Sequence, residues 1–233
     1  MSSTPLRALS LGDSAVTIAF GAERSPELLE RIHATARSLS AMELPHVQDI
    51  VPAYLALTVF YDALHVSYEE MAKRLLDACE RPTPVRGEGP NPRNHLIPVH
   101  YDGIDLDAVA AATRLSPGEV IVRHSARTYT VDLLGFVPGF AYLSELDPSL
   151  QLPRRPEPRP HVLAGSVAIA AAQTAVYPLD TPGGWHIIGR TDTVMFDPAR
   201  DPPAHHRRTA DGEGQEGRAA VAQALDRSGL MRR

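Results

Sequence analysis

Residues 134–191 read LGFVPGFAYLSELDPSLQLPRRPEPRPHVLAGSVAIAAAQTAVYPLDTPGGWHIIGRT and hold the chain's only tryptophan, Trp185. Glycine and proline are so dense here that the backbone must turn sharply and be approached closely. Short strands are expected at residues 166–170, 174–177, 185–189 and 194–196, a spacing that suits a barrel or sandwich. The run Gly135-Phe136-Val137-Pro138-Gly139-Phe140-Ala141-Tyr142 sets aromatic rings between residues that fix the backbone, which suits a rigid wall better than a mobile lid. Thr181-Pro182-Gly183-Gly184-Trp185 reads as a tight turn delivering an aromatic ring to the start of a strand. The steps Pro153-Arg154 and Pro158-Arg159 place cations on stiff, extended backbone, where little entropy remains to be lost on binding an anion. The stretch therefore reads as a ligand or partner site.

Upstream, the pattern changes from turns to regular elements. Alternation over residues 16–20 predicts a half-buried strand, and Ser25-Pro26 an N-cap with proline at the first helical position. Leu28, Ile32 and Ala36 then repeat at helical spacing. Strands are expected at residues 47–51 and 54–61, separated by Pro52-Ala53, followed by a helix behind the capping box Ser67-Tyr68-Glu69-Glu70. The order β-α-β-β-α resembles a split βαβ layer. Residues 81–94, RPTPVRGEGPNPRN, carry four prolines and two glycines and mark the best domain boundary. Beyond it come a strand at 95–101, a short helix at 105–113, a second capping box at Ser116-Pro117-Gly118-Glu119 opening a helix to about His124, and a strand at 129–136.

Charge and hydropathy exclude several classes. With 23 Lys plus Arg against 28 Asp plus Glu, and no basic block, nucleic acid is not an expected partner. The most apolar run, residues 162–172, is far short of the roughly 20 residues that span a bilayer. The N-terminal residues carry no signal-peptide pattern, and the single cysteine, Cys79, fits a reducing compartment, so a cytoplasmic location is expected. No phosphate loop, no G-x-G-x-x-G and no H-E-x-x-H occurs, so no metal is expected and any nucleotide must be held another way or by another chain.

Three residues stand out as candidates for chemistry. His124 falls near a predicted helix end, where its charge can be tuned; the alternative is a surface cation at a helix C-terminus. Gln173 lies between two apolar strands, where a buried amide must find partners and can grip a ligand amide; the alternative is a bulge or turn residue bonded to backbone. Arg190, at the end of a predicted strand, can bind a carboxylate bidentately or form a surface ion pair. Pro138, Gly139, Phe140, Tyr142, Arg159, Gly184 and Trp185 are candidate substrate-binding residues. Trp185 and the tyrosines Tyr142 and Tyr177 also have plain core roles open to them.

At residues 135–143 (GFVPGFAYL), 152–155 (LPRR), 158–170 (PRPHVLAGSVAIA), 173–178 (QTAVYP) and 181–191 (TPGGWHIIGRT), the chain resembles the family of KipI and the B subunit of 5-oxoprolinase, also described as allophanate hydrolase subunit 1-like. Weaker similarity extends over about residues 6–200. The resemblance implies an α+β chain: a small split-βαβ N-terminal domain over 1–81, a linker over 82–94, and a cyclophilin-like β-barrel over 95–200. It also implies an ATP-dependent cyclic amide hydrolase that opens 5-oxo-L-proline to L-glutamate. In that system the chain works in a complex with the homologous C subunit and the A subunit of 5-oxoprolinase, the isolated chain being inactive. Alternatives within the same family are an inhibitor of a sensor histidine kinase and a component related to urea carboxylase or allophanate hydrolase.

The sequence departs from the family pattern at four places. Ala175 stands where the family usually has glycine, Ala172 where Asn or Gly is common, and His100 where a cysteine is expected. After residues 202–204 the closing P-G-D-R-V-x-F strand gives way to HHRRTADGEGQEGRAAVAQ. Residues 201–233 are therefore expected to be an atypical, disordered tail, with weak helix potential at 219–230, leaving one edge of the barrel unpaired.

Overall fold

The computed structural model describes residues 5–80, 93–200 and 217–223. The described residues fall into two compact units, residues 5–80 in one and residues 93–200 with 217–223 in the other.

The first unit contains β1 (Arg7–Ser10), β2 (Ala15–Ala19), α1 (Pro26–Ala41), β3 (Val47–Ala53), β4 (Ala56–Tyr61) and α2 (Tyr68–Glu80). Its sheet runs β1-β2-β4-β3 with every pairing antiparallel, so β2 and β3, joined through α1, flank β4. Local chemistry sets the helix starts. Ser25 Oγ accepts from the Leu28 amide at 3.1 Å, and Ser67 Oγ from the Glu70 amide at 3.2 Å. The Ser67 box is half formed, because the Glu70 carboxylate turns to Arg74 one helical turn on. Pro52 does not end β3 as expected. It lies within the strand, which is an edge of the sheet where the missing amide costs no ladder bond, and the hairpin turns at Tyr54, whose φ is 45°. Val16, Ile18, Leu57, Val59 and Tyr61 from the sheet meet Ile32, Leu39, Met71 and Leu75 from the helices. Cys79 closes this core, its thiol pushed up to about 11 chiefly by burial, which keeps it inert.

The second unit holds β5 (Arg93–Val99), α3 (Leu106–Thr113), α4 (Pro117–Ser125), β6 (Thr128–Leu134), β7 (Ala141–Ser144), β8 (Arg159–Val162), β9 (Ser166–Ala170), β10 (Gln173–Val176), β11 (Thr181–Gly183), β12 (His186–Arg190) and β13 (Gly217–Gln223). Seven strands form one sheet in the order β12-β9-β10-β7-β6-β13-β5, and β8 pairs with β11 as a separate ribbon. The two ends of the seven-stranded order meet at an antiparallel bridge between His100 and Arg190, whose amides each donate to the other's carbonyl at 2.8 Å. Ser116 and Glu119 form the full reciprocal capping box of α4. Ile97, Val99, Val131, Leu143, Val167, Ile169, Val176 and Ile188 fill the core with Val109 and Val120 from the two helices.

Three expectations change here. Arg93 and Asn94, read as linker, already belong to β5, while residues 82–92 lie outside the described residues. Residues 194–196 form no strand: Val194 faces out and Met195 drops into the core, and Phe196 makes only an isolated bridge. The tail is corrected over 217–223. β13 pairs in parallel with β5 along seven positions, from Gly217↔Arg93 to Gln223↔Val99, and antiparallel with β6 through Arg218↔Thr130 and Ala220↔Thr128. Its alanines favour helix intrinsically, but two open strand edges offering donors and acceptors along its length outweigh a preference of under about 1 kcal/mol per residue. Residues 201–216 and 224–233 lie outside the described residues.

Candidate functional site

The two faces of the seven-stranded sheet carry different chemistry. Toward the main core, His124 is completely buried in the last turn of α4. Its Nδ1 lies 2.7 Å from Tyr101 Oη and its Nε2 lies 2.9 Å from Thr174 Oγ1. Thr174 Oγ1 donates to the Ala168 carbonyl at 3.0 Å, so it must accept from His124, which fixes the proton on Nε2 and leaves Nδ1 to accept from Tyr101. Tyr129 Oη donates to the His124 carbonyl at 2.7 Å. Burial pushes the imidazole down to about 3, so the ring is neutral, and it is neither a surface cation nor exposed to a ligand. Val120, four residues earlier and also buried, was the signal that His124 shares the inward face of its helix.

On the opposite face, Ala168, Ala170 and Ala175 form a floor of small residues, and Phe140, Tyr177 and Trp185 pack over it with Val137, Tyr142 and Ile187 at its margin. Phe140 is the centre of this wall. Its ring lies 4.8 Å from Tyr142, 5.4 Å from Tyr177 and 5.9 Å from Trp185, each near edge-to-face. Gly139 lets this loop lie close against Met195 and Phe196: its φ is 80°, and a β-carbon there would come within 2.7 Å of Phe196 Cβ. Pro138 is exposed on the same loop. Gln173 is half-buried at the edge of the alanine floor, paired with Ser144 on one side and Ala170 on the other.

The proline-rich strap over residues 153–160 supplies the charge. Arg159 reaches inward and makes two bonds to Asp105, Nη2 to Oδ1 at 2.7 Å and Nη1 to Oδ2 at 3.0 Å, and Arg155 Nη1 adds a third at 3.1 Å. The Ile187 amide donates to Asp105 Oδ2 at 2.7 Å. Burial pushes the Asp105 carboxyl up, but the Arg159 bonds, the Ile187 amide and the charges of both arginines outweigh it and hold the group below its usual range. Arg159 is thus committed inside the protein. Arg154 is exposed and has no carboxylate partner among the described residues, and its charge acts on Tyr177.

Phe140, Tyr142 and Trp185 come together, with Gly139 and Gly184 beside them in the chain and Gln173 paired with Ala170 of the floor, and His124 bonds Thr174, the neighbour of Gln173, behind the same sheet. Arg190 is placed elsewhere. It pairs with Ser166 while Gln173 pairs with Ala170, four residues along β9, which is roughly 13 Å at strand rise. Its side chain binds Asp102 at 2.8 Å. Sequence reasoning missed Asp105, Arg155 and Tyr101, whose partners lie at least 23 positions away in sequence. Among the described residues, no group of three His, Cys, Asp or Glu is arranged to hold a metal ion, and no helix is long and apolar enough to cross a membrane.

The class of protein is a mixed α/β chain whose sheets are mainly antiparallel, with the ends of the seven-stranded order bridged at His100 and Arg190. The chain belongs to the carboxyltransferase domain family, subdomain C and D, whose profile matches residues 6–206. It is 41% identical over 206 residues to the B subunit of 5-oxoprolinase from Bacillus subtilis (strain 168), covering 83% of this chain and 85% of that protein. A crystal structure of TTHA0988 matches with a TM-score of 0.76 at 37% identity over 90% of this chain, which spans 40% of the TTHA0988 chain. The K. lactis urea amidolyase shares the fold, with a TM-score of 0.77 at 14% identity over 94% of this chain and 15% of that one.

Proposed function

We propose that this chain is one component of a cytoplasmic, ATP-dependent 5-oxoprolinase complex that opens 5-oxo-L-proline to L-glutamate. The observation that carries the reading is the 41% identity to a 5-oxoprolinase B subunit over 83% of the chain. The geometry agrees with the substrate's chemistry. A five-membered lactam offers an apolar ring, an amide and a carboxylate, and the aromatic face offers a wall, the Gln173 amide and the exposed Arg154 guanidinium. In this reading Pro138, Gly139, Phe140, Tyr142, Gly184 and Trp185 shape the wall, Gln173 pairs with the lactam amide, and Arg154 takes the carboxylate in place of Arg159 and Arg190. His124 acts from behind the sheet by holding Thr174, and so Gln173, in position.

A lactam carbonyl is a poor electrophile, and activation of its oxygen at the expense of ATP prepares it for attack by water. The sequence contains no phosphate loop, so the A and C subunits are assigned the nucleotide and the remaining chemistry, and the isolated chain is inactive. The reading of the fold as a split βαβ layer followed by a cyclophilin-like barrel is supported by β2 and β3 flanking β4 and by the His100–Arg190 bridge. A strain lacking this gene should accumulate 5-oxoproline and lose it again on complementation; an unchanged 5-oxoproline pool would count against the proposal.

A further inference from the structure

Asp105 occupies the N-cap position of α3 but does not cap that helix. Its carboxylate is spent on three bonds from the strap arginines and one from the Ile187 amide, and the residue is 3% exposed. The Asp105 amide also donates to the Ile187 carbonyl at 2.9 Å, so Asp105 takes both backbone groups of the residue two beyond Trp185. Arg155, one of its guanidinium partners, donates its own amide to the Gly184 carbonyl at 2.8 Å, on the other side of Trp185. The turn carrying Trp185 is therefore bracketed at Gly184 and at Ile187, and both brackets lead to one carboxylate. Gly103 makes the arrangement possible, because a β-carbon there would collide with the backbone of Ile187 and Ile188.

We propose that Asp105 is a positioning residue that holds Trp185 in the aromatic wall by tying the strap arginines and the β12 backbone to one carboxylate. Four hydrogen bonds on a buried group define its geometry more tightly than packing alone, because each direction of movement breaks at least one charge-assisted bond. The functional consequence rests on the proposed reading of this face as the lactam site; the structural consequence does not.

The chain's single tryptophan makes the test direct. In the full-length chain, Asp105→Asn should shift Trp185 emission to longer wavelength and raise its acrylamide quenching constant about twofold or more under conditions where the protein is fully folded. A carboxylate that served stability alone would lower the unfolding midpoint and leave the native emission and quenching unchanged, and that result overturns the proposal. If Asp105→Asn fails to fold because two cations are left unpaired, the variant that adds Arg155→Met and Arg159→Met removes those charges and is measured in its place, with the same outcomes. In the assembled complex, Asp105→Asn should raise KM for 5-oxoproline about tenfold while Asp105→Glu restores part of it. A wild-type complex without activity would refute the proposed function and leave the fluorescence result standing.

Discussion

Protonating His124 should destabilise the second unit from within, and the size of the effect follows from its environment. The neutral ring donates through Nε2 to Thr174 and accepts through Nδ1 from Tyr101, so a second proton finds a hydroxyl already pointing at it and, among the described residues, no carboxylate bonded to the ring. Burial holds the folded group at about 3, below the ordinary value of 6.5. Between those values the unfolded chain binds the proton and the folded chain does not. Stability from this group is fully present above about pH 6.5 and is lost as pH falls toward about pH 3. At about pH 4.5, two units below the unfolded value, the loss is about 2.7 kcal/mol at 1.36 kcal/mol per unit. His124→Gln keeps one donor and one acceptor but cannot titrate. Urea unfolding of both proteins, followed by Trp185 fluorescence at about pH 7.5 and about pH 4.5, isolates the term as the change in their stability gap. The wild-type advantage should shrink by about 2–3 kcal/mol on acidification. A gap that stays constant within about 0.5 kcal/mol would show that His124 is not held neutral by burial.

In the assembled complex, Arg154→Ala should raise KM for 5-oxoproline about tenfold to a hundredfold, the loss of one charge-assisted bond, with circular dichroism unchanged. An unaltered KM would return the carboxylate to another residue. Ending the chain at Glu216 removes β13 and uncovers the β5 and β6 edges, which should lower Tm by about 5 °C or more and promote aggregation; an unchanged melting curve would contradict the central place of that strand. Gly103→Ala should cost about 1–3 kcal/mol in urea unfolding because the β-carbon meets β12 backbone that cannot move aside, and a neutral substitution would show that the close approach is not required.

The features that were legible in the sequence are those whose causes are local. Ser25-Pro26 and the Ser116-Glu119 box are written within four residues and start helices where expected. The aromatic loop and the Gly-Gly-Trp turn were legible as restricted backbone because of their glycines and prolines, and the rings of Phe140 and Trp185 pack in a buried cluster, the core role also open to Trp185 and Tyr177. Roles set by distant partners were hidden. Arg159 looked like a cation for an anionic ligand because Asp105 stands 54 positions away, and Asp105 looked like an ordinary helix start because Ile187 stands 82 positions away. β13 was hidden for a related reason: alanines read as helix until two strand edges compete for their amides. His124 was placed at the right end of the right helix, but its inward direction depends on which face of α4 packs, and only the Val120 spacing carried that.

This chain is proposed to supply part of an ATP-dependent lactam hydrolase. The most direct measurement mixes the purified chain with its cognate A and C subunits, ATP and 5-oxo-L-proline, and follows glutamate and phosphate release with each component left out in turn. Glutamate and phosphate are expected only from the full mixture, with none from this chain alone and none when it is omitted. Glutamate formation at an unchanged rate without this chain would contradict it.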